Sequence, residues 1–204
     1  MQFSPTDSRR ILYNNEWTYR DCGIRRVWLL DENDHFHPVR EITGRRSRND
    51  WVCHEIWSPD GKEVIYHGGY DGGDFFLGRH NLETGRSEEA VFDPRFTSYG
   101  HFTLVSGDDY LCSDGYFQML EAECDRGSRE YDPEKNVDFT PMTSKYITVL
   151  KVDWDKGTVD WRPLCEHGGE WYDQDSHPHP ISDGKYVYFT SRRNRLTNVY
   201  RVRI

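Results

Sequence analysis

The chain has 204 residues, enough for one sizeable core or two small ones. Its net charge of −9 excludes a broad basic face for nucleic acid, and it holds no run of about eighteen apolar residues to span a membrane. Aromatic residues make up 15% and mean hydropathy is −0.90, a mixture that suits many short, half-buried strands better than long helices.

In chain order, one pattern recurs: a polar turn carrying Asp and usually Gly, then a strand ending in Tyr or Cys. Ser4-Pro5-Thr6-Asp7 precedes Ile11-Leu12-Tyr13, and Ser58-Pro59-Asp60-Gly61 precedes Val64-Ile65-Tyr66. Ser106-Gly107-Asp108-Asp109 precedes Tyr110-Leu111-Cys112, and Ser182-Asp183-Gly184 precedes Tyr186-Val187-Tyr188-Phe189. Each leads into a further apolar run, at Arg26–Leu30, Phe75–Gly78, Ile147–Leu150 and Val199–Val202. Short strands, Asp-Gly hairpin turns and regular restarts predict four-stranded β-propeller blades, about four of them at roughly 40–50 residues each. An open β-sandwich is the alternative, disfavoured by the matched phase of the restarts. The Arg40–Asp50 stretch reads as a polar connection, and Glu121–Ser144, rich in charge and Pro, as a surface loop.

Met1 stands six residues before Asp7, as His54 stands before Asp60 and His177 before Asp183. The chain is therefore read as one β-propeller domain, residues 1–204, either the later blades of a larger propeller or one that closes by pairing with another copy, with open blade edges available for self-association. Residues Met1 to Asp7 are polar and carry no leader pattern. The five cysteines are scattered without a C-x-x-C pair, which predicts a reduced, cytoplasmic protein.

The first strand of each propeller blade lines a central channel, so equivalent positions of different blades point at one axis. His54, His101 and His177 occupy nearly equivalent positions, His101 standing seven residues before Asp108. A single His there reads as a hydrogen-bonded, half-buried side chain; three in phase predict a shared site. Gln174-Asp175-Ser176-His177-Pro178-His179-Pro180 adds an H-x-H pair whose side chains share one face of an extended backbone. The pair suits a divalent metal, and an amide oxygen from Gln174 leans toward a harder ion such as Mn²⁺; a proline-rich turn is the other reading. His35 and His37 form a second H-x-H pair in an acidic turn and read as surface residues, while His67, His80 and His167 lack the phase. Nothing resembles a nucleotide loop or a serine-hydrolase elbow.

Ser4-Pro5-Thr6-Asp7, Arg26-Val27-Trp28, His54-Glu55-Ile56-Trp57-Ser58-Pro59-Asp60-Gly61 and the Gln174-x-x-His177-Pro178-His179-Pro180 string resemble the oligogalacturonate lyases, seven-bladed cytoplasmic propellers of pectin breakdown. The resemblance covers nearly the whole chain but only the later half or so of the family's length. It implies a Mn²⁺ site (or another divalent metal) on His101, Gln174, His177 and His179. It also implies a catalytic base at His54 and a charge-neutralising Arg26, with Arg25 as the alternative. The family has His where this chain has Met1, and its H-E-G-x-W pattern survives only as Asn15-Glu16-Trp17.

The implied reaction is β-elimination on oligogalacturonate or digalacturonate: a base takes the proton beside a uronate carboxylate and the glycosidic oxygen leaves from the next carbon. Trp57, Tyr70, Trp171 and Tyr172 either stack on sugar rings or pack between blades. Asp71-Gly72-Gly73-Asp74 is either a hairpin turn or a second metal site. Two readings stand beside the lyase: a non-catalytic propeller serving as a binding or scaffold module, and an inactive lyase fragment.

Overall fold

In two of the restart turns, Ser58–Gly61 and Ser182–Gly184, the Asp side chain takes the amides that follow it. Ser58 Oγ donates to Asp60 Oδ1 at 2.6 Å and accepts from the Glu63 amide at 2.9 Å, while Asp60 Oδ1 also takes the Lys62 amide at 3.1 Å. Asp183 repeats this with the amides of Lys185 and Tyr186, at 2.9 and 2.7 Å. Gly61 and Gly184 stand at φ of 67° and 86°, a left-handed conformation that side chains resist. Short polar side chains thus satisfy the turn's amides, and glycine permits its reversal.

These turns appear in a computed structural model that describes residues 1–14, 26–40, 51–70, 74–92, 100–115, 146–169 and 177–204. Every regular element among them is a β-strand. No helix among them is long and apolar enough to cross a membrane. The calls on Cys22, Arg25, the Asn15–Trp17 motif, Asp71–Gly73, the Glu121–Ser144 loop, Trp171, Tyr172 and Gln174 lie outside the described residues.

The chain divides into two compact units, each taken here by itself. Unit 1 comprises Met1–Pro94, Gly107–Asp109 and Val152–Asp160; unit 2 comprises Arg95–Ser106, Tyr110–Lys151 and Trp161–Ile204. In unit 1, β1 (Gln2–Phe3), β2 (Ile11–Asn14), β3 (Val27–Leu30) and β4 (Phe36–Pro38) form one antiparallel meander. A second meander follows: β5 (Trp51–Trp57), β6 (Glu63–Gly69), β7 (Phe75–Asn81) and β8 (Ser87–Phe92). Unit 2 holds β9 (Phe102–Ser106), β10 (Tyr110–Ser113) and most of β11 (Tyr146–Asp153) and β12 (Thr158–Glu166), in the same up-and-down order. It ends with β13 (Ile181–Ser182), β14 (Tyr186–Ser191) and β15 (Asn198–Arg203). The first residues of β12 lie in unit 1, parallel to the end of β8. These meanders are propeller blades, and each expected restart falls on the hairpin between a blade's first two strands.

Unit 1 packs Leu12, Val27, Leu29, Val52, Trp57, Val64, Tyr66 and Phe76 into one cluster; unit 2 packs Val105, Cys112, Ile147, Val149, Val187 and Phe189. Trp57 and Tyr70 are packing residues here, Tyr70 lying 4.5 Å from the Phe76 ring centre and donating to Glu89. Arg40, expected in a polar connection, is instead buried: its guanidinium sits over Phe76 and binds Glu89 at 2.6 Å. A carboxylate and an aromatic face together offset the cost of desolvating that charge.

Gly78 of β7 lies opposite Tyr66 of β6. A Cβ there would meet the fully buried Tyr66 ring at 2.2 Å. Gly78→Ala is therefore expected to destabilise the fold by about 1–3 kcal/mol through overpacking. A urea melt checks this, and an unchanged midpoint would mean the ring moves aside freely.

Candidate metal centre

His101 stands one residue before β9, and His177 and His179 stand just before β13. β9 and β13, the first strands of their blades, are neighbours within unit 2. The strands therefore bring the three imidazoles together, with ring centres 4.5 Å (His101–His177), 3.8 Å (His101–His179) and 4.4 Å (His177–His179) apart. One nitrogen from each lies within 4.8 Å of the others.

The His177-Pro178-His179 segment is tied to β14. The Thr190 amide donates to the Pro178 carbonyl at 2.9 Å, and the Thr190 hydroxyl donates to the His177 carbonyl. His179 adopts φ of 43°. The segment is therefore not a regular strand, and the simple i, i+2 rule does not explain the convergence: the anchoring to Thr190 and the left-handed residue do. Such a conformation is costly for a side-chain-bearing residue and marks sites where it is over-determined by its surroundings.

Asp114, which sequence reasoning missed, organises the cluster. It is fully buried just past the end of β10. Its Oδ1 accepts the His101 amide at 2.6 Å; its Oδ2 accepts the His179 amide at 3.2 Å and lies 3.3 Å from His101 Nδ1. His177 Nε2 is 4.0 Å from the same oxygen. Burial pushes the Asp114 pKa up, but the hydrogen bond from His101 and the nearby imidazoles of His101, His177 and His167 outweigh it, and the carboxyl stays below its ordinary range. Gly100 makes room for it, since a Cβ there would meet Asp114 Oδ1 at 2.6 Å and the Gly115 backbone at 2.3 Å.

The electrostatics favour neutral imidazole. Burial lowers the His177 pKa to about 4, against an opposing pull from Asp114; burial likewise lowers that of His179. Near neutral pH both rings offer a lone pair without first losing a proton, which is what a metal ligand requires. Asp114 supplies the outer carboxylate that commonly orients a ligating imidazole. Three nitrogen donors with a buried carboxylate behind them fit a first-row divalent ion. Gln174, the expected fourth donor, lies outside the described residues. His167 is buried rather than displayed, its Nδ1 accepting the Gly169 amide at 2.8 Å.

His54 and Arg26 belong to unit 1. β5 carries an extra residue there: Cys53 pairs with His67 and Ile56 with Ile65, and His54 sits in the resulting bulge at φ of 52°. Strand alternation would send Cys53 and His54 to opposite faces, whereas the bulge brings Cys53 Sγ within 3.5 Å of His54 Nδ1. Cys53, His54 and His67 thus form a second close group, with Cys53 and His67 buried. Burial raises the Cys53 thiol far above its ordinary range and pushes His67 well below its own. Arg26 Nε donates to Asn14 at 2.9 Å, and the Asn14 amide donates to both oxygens of the buried Glu55, at 3.1 and 3.2 Å. The Arg26 charge also reaches Cys53.

No protein-family model matches the sequence, and no curated protein does. Solved structures do match its fold. A manganese-bound oligogalacturonate lyase aligns over 99% of this chain at a TM-score of 0.70 and 19% identity. TolB from Acinetobacter baumannii aligns over 97% at 0.55 and 18%, and a puromycin-hydrolysing peptidase of Mycobacterium tuberculosis over 98% at 0.53 and 15%. The chain spans 47%, 39% and 29% of those proteins, respectively, so about half of the lyase. What these likenesses share with the strand order is the architecture: the chain is an all-β run of β-propeller blades, similar in fold to an oligogalacturonate lyase.

Proposed function

We propose that this chain carries the metal-binding blades of a lyase that cleaves short, pectin-derived oligogalacturonates by β-elimination. The observation that carries the reading is the His101, His177 and His179 cluster gathered around buried Asp114. The fold's likeness to a manganese-bound oligogalacturonate lyase supports it. Gln174 would add an amide oxygen and tilt the donor set toward Mn²⁺. When bound, the cation supplies positive charge that offsets a uronate carboxylate and eases loss of the proton beside it.

The chain's own residues have distinct tasks in this reading. His101, His177 and His179 bind the ion, and Asp114 fixes His101 and the His179 backbone. His54 takes the proton from the carbon next to the carboxylate. The C–H electron pair becomes the new C=C bond, and the C–O bond to the glycosidic oxygen on the adjacent carbon breaks. Neutral imidazole suits the base, since its ordinary pKa lies near working pH. Arg26 neutralises a substrate carboxylate; its guanidinium is oriented by Asn14.

The test is direct. The folded chain is incubated with digalacturonate, and the unsaturated product is followed with added Mn²⁺ and with a chelator. Activity abolished by the chelator and restored by Mn²⁺ is expected. His54→Ala should cut kcat by about 10²–10⁴-fold while Mn²⁺ affinity stays unchanged. Full turnover by His54→Ala would remove it as the base. Absence of product across the whole metal range would overturn the lyase reading for this chain.

A further inference from the structure

The second H-x-H pair, His35 and His37, gains a third donor from the fold. β3 and β4 pair Leu29 with His37 and Leu30 with Phe36, so the next pair is Asp31 with His35, whose carbonyl accepts the Asp31 amide at 2.9 Å. Alternate positions share a face of a sheet. Asp31, His35 and His37 therefore project from the same face of the hairpin, although the sequence separates the acid from the second imidazole by a turn.

The carboxylate is locked before any ligand arrives. Asp31 Oδ1 accepts the amides of Asn33 at 2.8 Å and His35 at 2.9 Å. Asp34, at φ of 63°, closes the turn. The other oxygen, Oδ2, faces both rings: His37 Nε2 is 2.8 Å away and His35 Nδ1 is 3.7 Å away. One ligand atom from each of the three lies within 4.8 Å of the others. The hydrogen bonds, those from the His35 amide and His37 foremost, hold the Asp31 pKa at about 2, so the group is ionised at any pH near neutral.

The geometry points to a divalent-cation site of Zn²⁺ type on the β3–β4 hairpin, ligated by Asp31, His35 and His37. Two imidazoles and one carboxylate make a mixed nitrogen and oxygen donor set, and Zn²⁺ accepts three protein ligands with an open fourth position. Donors sharing one tetrahedral ion at bonds of about 2.0–2.2 Å stand roughly 3.3–3.6 Å apart, so His37 must open from 2.8 Å and His35 close from 3.7 Å about the fixed Asp31 carboxylate, shifts that the two exposed imidazoles make by changing rotamer. His37 and Asp31 line a shallow concavity with Arg10, Glu32 and His80. His80 offers a further imidazole there. Among the described residues lining it, the one Arg or Lys is Arg10, held by Glu32 at 2.8 and 3.3 Å, which offsets its repulsion of a metal. This site is separate from the His101, His177 and His179 cluster in residues and in unit, and it stands whether or not the chain is a lyase.

Calorimetric titration with Zn²⁺ alone tests it, on the whole chain and on the His35→Ala/His37→Ala protein. The double variant should bind one Zn²⁺ fewer per chain, with unchanged circular dichroism and unchanged Mn²⁺ affinity. Asp31→Asn keeps the oxygen that holds the turn and should weaken this Zn²⁺ by about tenfold or more. His177→Ala should leave it in place. Equal Zn²⁺ uptake by the parent and the double variant would overturn the site.

Discussion

His177→Ala is expected to weaken Mn²⁺ binding by at least about 100-fold, beyond the 10–100-fold typical of losing an outer partner. The ring is the most buried of the three, at 5% exposure, and burial lowers its pKa to about 4. Thr190 fixes its backbone through the bonds from β14 to the Pro178 and His177 carbonyls, so the segment that carries the ring is held in place. Manganese titration followed by electron paramagnetic resonance measures the effect, with circular dichroism to establish folding. A folded variant that keeps its affinity within threefold would remove His177 from the ligand set.

The second large effect is expected at Asp114. Asp114→Ala strips the acceptor from two main-chain amides, those of His101 and His179. An unsatisfied buried donor costs about 1–3 kcal/mol, so the variant should lose roughly 2–5 kcal/mol of stability, seen as a lower urea midpoint. Asp114→Asn keeps one carbonyl oxygen and should recover part of that loss. Both should lower Mn²⁺ affinity by about 10–100-fold, because the carboxylate behind His101 is gone. If Asp114→Asn matched the parent in metal affinity, the negative charge would have no part in the site, and Asp114 would be a structural turn residue alone.

The contrast between these two residues separates what was legible in the sequence from what was not. His177 announced itself through the H-P-H-P string and its phase with His101. Asp114 stands in a Ser-Asp-Gly string that looks like one more hairpin turn. Its role arises because the end of β10 returns beside the residue preceding β9, at a distance that sequence spacing does not encode. Asp31 is similar: its partnership with His37 depends on the register of β3 against β4, and a slip of one residue would turn it to the other face.

The sequence by itself determined the repeating unit. Ser, Asp and Gly at fixed offsets satisfy local amides and permit the reversal of the chain, and the apolar runs between them dictate short strands; all of this is short-range chemistry. It also determined which histidines stand at the heads of the first strands of the later blades. Only the tertiary structure decided the environments: the bulge that turns His54 toward Cys53, the burial of Arg40 over Phe76 and the carboxylate beneath His101. Those outcomes depend on which groups are desolvated together, and desolvation is a property of packed strands rather than of any one segment.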